Sequence, residues 1–252
     1  MTSSGHFTRL ALSESLLNPL SCIGAKKMLV IGGTPKDSID GKRSLAAYGI
    51  RANAVAVSLT PEIQARLHQQ PALLAARVCE RLSEYAPQPI VVNCVSMSFA
   101  LGEATPYLLG YPIYELTSVF YQHIVQNPTL QHSTLGLIVA DDITLRRILT
   151  FFEKKDFHPS LIGVADIELV NLYEKSPVQG KRRLSRIIDG LVTAGARVII
   201  LGCTHFSDEN IPSEVNKNVR VIQPGLILLQ QIIQRFCPEG MASSHLHQLA
   251  SY

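Results

Sequence analysis

The sequence lacks several features that mark simple protein classes. It contains no tryptophan, aromatic residues make up 6%, and charged residues make up only 17% of the 252 positions. No apolar stretch approaches the length of a membrane span, because proline, glycine or polar residues interrupt the long uncharged runs. The amino terminus lacks a basic segment followed by an apolar one, so we expect no secretory signal.

Cysteine is also scarce. The five cysteines have no regular spacing, which argues against a disulfide framework and against a zinc module with paired ligands. A reducing cytoplasm suits such a chain, and we expect no bound metal. The net charge is only +3, and the one short basic cluster, residues 181–183, falls within a helical pattern. It predicts a solvated helix face and not a nucleic-acid site.

Hydrophobic residues are abundant by contrast, at 46%, which is enough for a substantial core. Strand-like and helix-like patterns alternate along the chain, which is typical of an α/β fold with mostly parallel strands. Strands are predicted at 28–33, 53–58, 90–95, 112–116, 136–140, 160–165, 197–202 and 219–223.

Prolines and a glycine delimit the predicted helices. Pro61 begins an amphipathic helix that Pro71 should kink or divide, because proline lacks the N–H that a helix interior needs. A second helix is predicted over 179–193, with Gly195 as its stop.

Two segments, 89–96 and 198–205, repeat one pattern. In each, aliphatic residues that favour strands lead into a cysteine and a hydroxyl residue, Cys94 with Ser96 and Cys203 with Thr204. Open α/β sheets bind ligands at the carboxyl ends of their strands. Two thiols that face one cleft there could move protons on both faces of a carbon atom.

The two segments lie about one small domain apart, which predicts two pseudo-symmetric α/β domains with a cleft between them. We assign residues 27–116 with 217–237 to the first domain and 117–216 to the second. Residues 1–26 are expected to form an amino-terminal extension, and 238–252 a carboxyl-terminal tail.

A cysteine at a buried strand end is usually just a small hydrophobic residue. Cys94 and Cys203 differ through their matched context, since the hydroxyl residues beside them could bind a substrate carboxylate. The other cysteines keep the ordinary interpretation, namely Cys22, Cys79 and Cys237.

Residues 201–206, Leu-Gly-Cys-Thr-His-Phe, resemble the second cysteine motif of glutamate racemases, in the Asp/Glu racemase superfamily. The resemblance covers about residues 28–236. Its further matches are the first strand and turn at 30–33, the first cysteine segment at 91–94, and a glutamate-bearing segment at 169–174.

The resemblance implies two α/β domains with the active site between them, and racemisation of an amino acid by two cysteines without a cofactor. It implies catalytic roles for Cys94, Cys203 and His205, the last assisting the second cysteine. A structural histidine in a strand-to-helix turn is the alternative for His205. The substrate-binding residues implied are Gly32, Gly33, Ser96, Thr144, Glu174 and Thr204.

The sequence also departs from glutamate racemases. Gly32 and Gly33 stand where those enzymes have Asp-Ser, which is more similar to aspartate racemases. Val95 follows the first cysteine where the family has Asn, and the Pro-Tyr-Gly substrate loop has no counterpart. Asp141 replaces a threonine, and its carboxylate should repel a glutamate side chain.

Other polar residues near the motifs receive ordinary interpretations. Asn93 and Ser98 are expected to bond the backbone. Asp37 and Asp40 are interpreted as turn formers, although either could replace the missing acid near the first cysteine. Gly41 follows Gly33 at a spacing that fails the dinucleotide fingerprint, so the glycines predict a tight turn beside the cleft.

The sequence therefore predicts an isomerase, an amino-acid racemase similar to the glutamate racemases that supply D-glutamate for peptidoglycan. An aspartate or broad-specificity racemase is the second interpretation, favoured by the two glycines. A ligand-binding or regulatory relative without turnover is the third. The expected partner is a small amino acid, with no nucleic acid and no membrane, and a homodimer is left open.

Overall fold

The computed structural model describes residues 27–47, 49–58, 60–102, 112–206 and 219–236. The expected extension (1–26) and tail (238–252) lie outside these ranges. Within them are two parallel sheets. The strands are β1 (Lys27–Gly32), β2 (Arg51–Ala56), β3 (Ile90–Val92), β4 (Ile113–Tyr114), β5 (Thr134–Val139), β6 (Ser160–Ala165), β7 (Val198–Gly202) and β8 (Arg220–Ile222).

The two sheets repeat one topology. Their strand orders are β2-β1-β3-β4 and β6-β5-β7-β8, and every pairing is parallel. Corresponding strands therefore occupy corresponding positions, which confirms the predicted pair of pseudo-symmetric α/β units. All eight predicted strands are present, although β3 ends at Val92 instead of Val95 because a helix begins at Val95.

Helices cover the strands in both halves, as parallel sheets require. They are α1 (Pro35–Ala46), α2 (Pro61–His68), α3 (Pro71–Leu82), α4 (Val95–Gly102), α5 (Leu116–Phe120), α6 (Pro128–Gln131), α7 (Asp142–Lys154), α8 (Ile167–Lys175), α9 (Pro177–Thr193) and α10 (Pro224–Phe236), with a π-helical turn at Tyr121–Val125. In the described ranges, none of these helices combines the length and the apolar character that a bilayer crossing needs.

Proline and glycine residues delimit the helices as the sequence predicts. Pro71 divides the predicted long helix, since α2 ends at His68 and α3 begins at Pro71. The helix predicted at 179–193 starts two residues earlier, at Pro177, where proline fits the first helical position. Gly195 lies just beyond its end with a φ of 101°, a backbone conformation that favours glycine.

The two sheets share one hydrophobic core. One cluster of buried side chains includes Val30 and Val91 from the first sheet together with Leu137 and Ile200 from the second. Two smaller clusters lie on the remaining sheet faces, one in each half. The carboxyl edges that carry the two cysteines are therefore held in a fixed relation by packing.

One domain assignment differs from the strand pairing. Residues 217–237 were expected to belong to the first domain, but β8 pairs with β7, with Val198 opposite Arg220. The strand completes the second sheet as β4 completes the first. Helix α10, which follows it, packs against α1 and α5 as well as β7, so this end of the chain contacts both halves.

Candidate active site

The two cysteines end corresponding strands. Cys94 lies between β3 and α4, and Cys203 comes directly after β7. Since β3 and β7 hold the same position in their sheets, the repeated topology brings both thiols to one cleft. His205 and Ser96 line it too.

Cys94 is buried and has an uncharged amide beside its sulfur. Its residue is 4% exposed, and the Nε2 atom of Gln64 lies 2.9 Å from its Sγ atom. Burial raises the pKa of the Cys94 thiol well above its usual value, and the negative charge of Asp37 raises it further. Cys94 is therefore a neutral thiol near pH 7, the form that can donate a proton.

Cys203 has an ionisable neighbour, the imidazole of His205, whose Nδ1 atom lies 3.5 Å from the sulfur. Nδ1 also lies 3.0 Å from Oδ1 of Asp37, and Nε2 lies 2.8 Å from Oε1 of Glu174. Because both ring nitrogens face carboxylates, both carry protons. Burial alone would lower the pKa of His205, but the charges of Asp37 and Cys203 raise it well above its usual value.

The two carboxylates that hold His205 are themselves anchored by Thr34. The backbone N–H of Thr34 donates to Oδ2 of Asp37 at 3.1 Å, and its hydroxyl donates to Glu174 at 3.2 Å. Burial alone would raise the pKa of Asp37, but the charge and hydrogen bond of His205 lower it. The hydrogen bond from His205 likewise lowers the pKa of Glu174. The group therefore carries two negative charges around one imidazolium.

Polar contacts cross the cleft between the halves. The Thr204 hydroxyl lies 3.0 Å from Oδ1 of Asp37 and 3.1 Å from the carbonyl oxygen of Asn93, so it donates to one acceptor at a time.

The Asn93 side chain donates to the Asp37 carbonyl at 2.7 Å. Ser98 accepts from the N–H of Leu116. The backbone bonding predicted for Asn93 and Ser98 is confirmed.

Asp37 is the residue that sequence reasoning underestimated. It is a capping residue of α1, with Thr34 at the N-cap, and it is also buried in the site against His205. The available signal was the capping-box spacing of Thr34 and Asp37 directly after β1. Asp40 lies on the outside of the same helix and pairs with Lys36.

The two glycines form a turn beside the cleft, as predicted, and are not among the residues that line it. The carbonyl of Gly32 accepts from the N–H of Val57 at 3.1 Å, and that of Gly33 accepts from Ser58. A Cβ atom at Gly32 would collide with the backbone nitrogen of Ser38, so the tight entry into α1 requires glycine.

Helix α7 in the second half begins like α1 in the first, but the two capping residue types are exchanged. Aspartate is at the N-cap and threonine is at the third helical position. Asp141 is the N-cap of α7, and its Oδ1 atom accepts from the N–H of Thr144 at 2.7 Å. Asp141 also lines the cleft. Thr144 is fully buried behind it, and its hydroxyl has no hydrogen-bond partner in the described part of the chain.

His68, at the end of α2, is a second residue that sequence reasoning missed. It lines the cleft and is 1% exposed. Among the described residues, neither of its ring nitrogens has a hydrogen-bond partner. Burial lowers the pKa of the His68 imidazole to about 4, so the ring is neutral at pH 7.

This burial predicts a pH-dependent stability. Below pH 6.5 the unfolded chain binds a proton at His68 that the folded chain does not, so stability falls as the pH falls. Between pH 7.5 and 5, His68 alone should lower the free energy of unfolding by about 2 kcal/mol. We expect His68→Leu to remove this loss in urea denaturation at the two pH values.

The matched control for that measurement is His158→Leu, because the His158 side chain is 63% exposed. It should show the same pH dependence as the parent protein. The contribution of His205 is present in all three proteins and cancels in the comparison. An equally steep loss of stability in His68→Leu would contradict the prediction.

Comparisons with known proteins agree with this architecture. A family model described as Asp/Glu/Hydantoin racemase matches residues 43–232. No curated protein matches the sequence. Among solved structures, a glutamate racemase isoform from Bacillus anthracis is similar with a TM-score of 0.62 and 13% identity, over 82% of this chain and 80% of that one.

Two further structures widen the range of named activities. Aspartate racemase from Picrophilus torridus is similar with a TM-score of 0.59 and 14% identity, over 82% of this chain and 93% of that one. Allantoin racemase from Pseudomonas fluorescens is similar with a TM-score of 0.54 and 16% identity, over 82% and 88%. The two parallel sheets thus have the fold of this group of racemases. The chain belongs to the Asp/Glu/hydantoin racemase family.

Proposed function

We propose that this protein is a cofactor-independent amino-acid racemase in which Cys94 and Cys203 exchange protons with the α-carbon. The observation that carries the proposal is the placement of both thiols in one cleft, in different electrostatic settings. One is buried next to Gln64, and the other lies beside an imidazolium. Racemisation by two groups needs such a difference, because one must accept a proton while the other donates one.

In the proposed mechanism, Cys203 acts as the base for one enantiomer. The thiolate form of Cys203, next to the His205 imidazolium, removes the α-proton and becomes a thiol. The Cys94 thiol then delivers its proton to the opposite face of the carbanion and becomes a thiolate. Proton exchange with solvent restores the starting state. The other enantiomer uses the same two groups in the opposite roles.

The substrate carboxylate would bind where α4 begins. This helix starts at Val95, directly after Cys94, and its first N–H groups can bind an anion. Ser96 lines the cleft at the same helix start, and its hydroxyl can add a hydrogen bond. These donors would also stabilise the negative charge that spreads into the carboxylate after proton removal.

The identity of the substrate side chain is a separate question. The resemblance at residues 201–206 makes glutamate the first amino acid to test, and its D-enantiomer would serve peptidoglycan synthesis. An aspartate or broad-specificity racemase is the second candidate, because Gly32 and Gly33 resemble the first turn of aspartate racemases. Asp141 lines the cleft and would repel either carboxylate side chain. In either case, the need for free thiols fits a reducing cytoplasm.

The test is incubation with single L- and D-amino acids followed by chiral chromatography, without pyridoxal phosphate and with a metal chelator present. We expect inversion of at least one amino acid in both directions. The rate should fall at low pH, where the thiolate is protonated, and at high pH, where no thiol remains to donate. Failure to invert any member of the panel would instead favour the ligand-binding relative.

A further inference from the structure

The His68 imidazole is a polar group in the cleft that the proton transfers do not use. It is 1% exposed, and both ring nitrogens lack partners in the part of the chain that the structure describes. Buried polar groups nearly always have hydrogen bonds, and an unsatisfied one destabilises the fold. A site that keeps such a ring at the wall of a cleft is therefore suited to bind a polar ligand group there.

Helix α2 sets the distance of His68 from the reacting centre. Gln64, one turn earlier on the same helix face, contacts the Cys94 sulfur. Residues four apart lie one above the other on a helix and are separated by about 6 Å along its axis. His68 thus lies one turn beyond the residue that touches the first thiol. An extended amino acid of four or five carbons, with its α-carbon next to that thiol, would direct the end of its side chain towards His68.

The charges near His68 favour a neutral ligand group. Asp141 and Arg147 both influence the ring, with opposite signs. Asp141 lines the cleft, whereas no lysine or arginine does so among the described residues. A carboxylate at this position would meet Asp141 with no cation among the lining residues, and an ammonium group would meet a ring that carries no charge.

A carboxamide can hydrogen-bond to both His68 and Asp141, because it has an acceptor oxygen and a donor nitrogen. A neutral imidazole has one N–H donor and one acceptor nitrogen, and a carboxylate has acceptors only. The carbonyl oxygen of a carboxamide can accept from the His68 N–H, while its NH₂ group donates to the Asp141 carboxylate. A carboxylic acid side chain of the same shape offers no donor at neutral pH.

We propose that His68 binds the end of the substrate's side chain and selects amino acids with a terminal carboxamide over those with a carboxylate. This inference rests on the proposed function for the location of the α-carbon. It assigns His68 and Asp141 to side-chain recognition, a task separate from proton transfer.

The test measures binding by titration calorimetry, so that it does not depend on turnover. The ligands are L-asparagine, L-glutamine, L-aspartate, L-glutamate and L-alanine. We expect the better carboxamide to bind at least about tenfold tighter than the carboxylate of equal length. His68→Leu should weaken carboxamide binding by about ten- to a hundredfold, with a several-fold smaller loss for alanine, whose side chain does not reach the ring.

Two further variants separate recognition from packing. His68→Gln keeps a donor and an acceptor and should recover part of the carboxamide affinity that leucine loses. Asp141→Thr keeps a helix-capping oxygen and should shift the preference towards carboxylates. His158→Leu, on the exposed surface, should leave all affinities unchanged. Thermal unfolding of each variant checks that it folds.

The inference is overturned if the parent protein binds carboxylates as well as carboxamides, or binds neither. It is also overturned if His68→Leu weakens alanine binding as much as carboxamide binding, or if Asp141→Thr leaves the preference unchanged. Selective binding without inversion would refute the racemase proposal and leave the role of His68 in place. Inversion with a substrate preference that does not depend on His68 would refute the role of His68 and leave the racemase proposal in place.

Discussion

Replacement of either Cys94 or Cys203 with alanine should lower the rate of inversion of the best substrate by about 10²- to 10⁴-fold, the usual contribution of a general acid or base. Inversion needs both groups because the proton leaves one face of the α-carbon and returns to the other. Chiral chromatography of the products measures the loss. Cys79→Ala is the control, because Cys79 is half-buried and belongs to the hydrophobic packing of the first half.

Deuterated water gives this prediction a sharper readout. The enantiomer formed from an unlabelled substrate should carry deuterium at the α-carbon, because the returning proton comes from the opposite, solvent-exchanged cysteine. Each single alanine variant should retain exchange with only one enantiomer, at its remaining thiol. The mechanism would be wrong if a folded Cys94→Ala or Cys203→Ala protein inverted the substrate at the parent rate.

Asp37→Asn should have the second large effect, on stability as well as on activity. Asp37 is buried and ion-paired with His205 at 3.0 Å, so its neutralisation leaves an imidazolium with one carboxylate partner instead of two. Removal of one partner from a buried pair typically costs about 3–5 kcal/mol. We expect a loss of that size in the free energy of unfolding near pH 6, with at least about a hundredfold slower inversion.

The pH dependence of this loss has a defined sign. Asp37 has a lowered pKa, so its contribution is present above about pH 4 and is lost as the pH falls through the folded value. His205 has a raised pKa, so its contribution is present below about pH 6.5 and is lost as the pH rises through the folded value. The effect of Asp37→Asn should therefore be largest between these limits and shrink in alkaline solution.

Asp40→Asn is the matched control for this variant. Asp40 lies one turn along the same helix in a partly exposed pair with Lys36, and such surface pairs contribute about 1 kcal/mol or less. If Asp37→Asn were no more harmful than Asp40→Asn in urea denaturation near pH 6, the buried pair would not stabilise the protein as argued.

The strands and the two cysteines could be predicted because their signals are local. Runs such as Val198–Gly202 contain strand-favouring aliphatics on both faces, which only a buried parallel strand explains. The cysteine that follows each run then lies at the carboxyl edge of a sheet. The repeated order of these features was also enough to predict two similar halves.

The sheet that β8 joins could not be predicted in the same way. The strand is three residues long, and its pattern does not specify which sheet edge it completes. That choice depends on the open edge of β7, which is a property of the assembled fold. Short strands near a chain end leave this choice to tertiary packing.

The role of Asp37 was underestimated and that of His68 was missed for a related reason. An aspartate in the first turn of a helix is an ordinary capping residue, and a histidine at the end of a helix is ordinary as well. Their importance comes from the cleft: Asp37 is ion-paired with His205, and His68 lines the cleft together with Asp141. Such contacts join residues far apart in sequence, and no local pattern records them.

The unequal surroundings of Cys94 and Cys203 have a thermodynamic consequence for a racemase. In water the two mirror-image amino acids have equal free energy, so their equilibrium ratio is one whatever the protein does. The values of kcat/KM in the two directions must then be equal. The fold of the two halves is repeated, but the charges around the two cysteines differ. This difference can change kcat and KM separately for each enantiomer, but the ratio kcat/KM stays equal in the two directions.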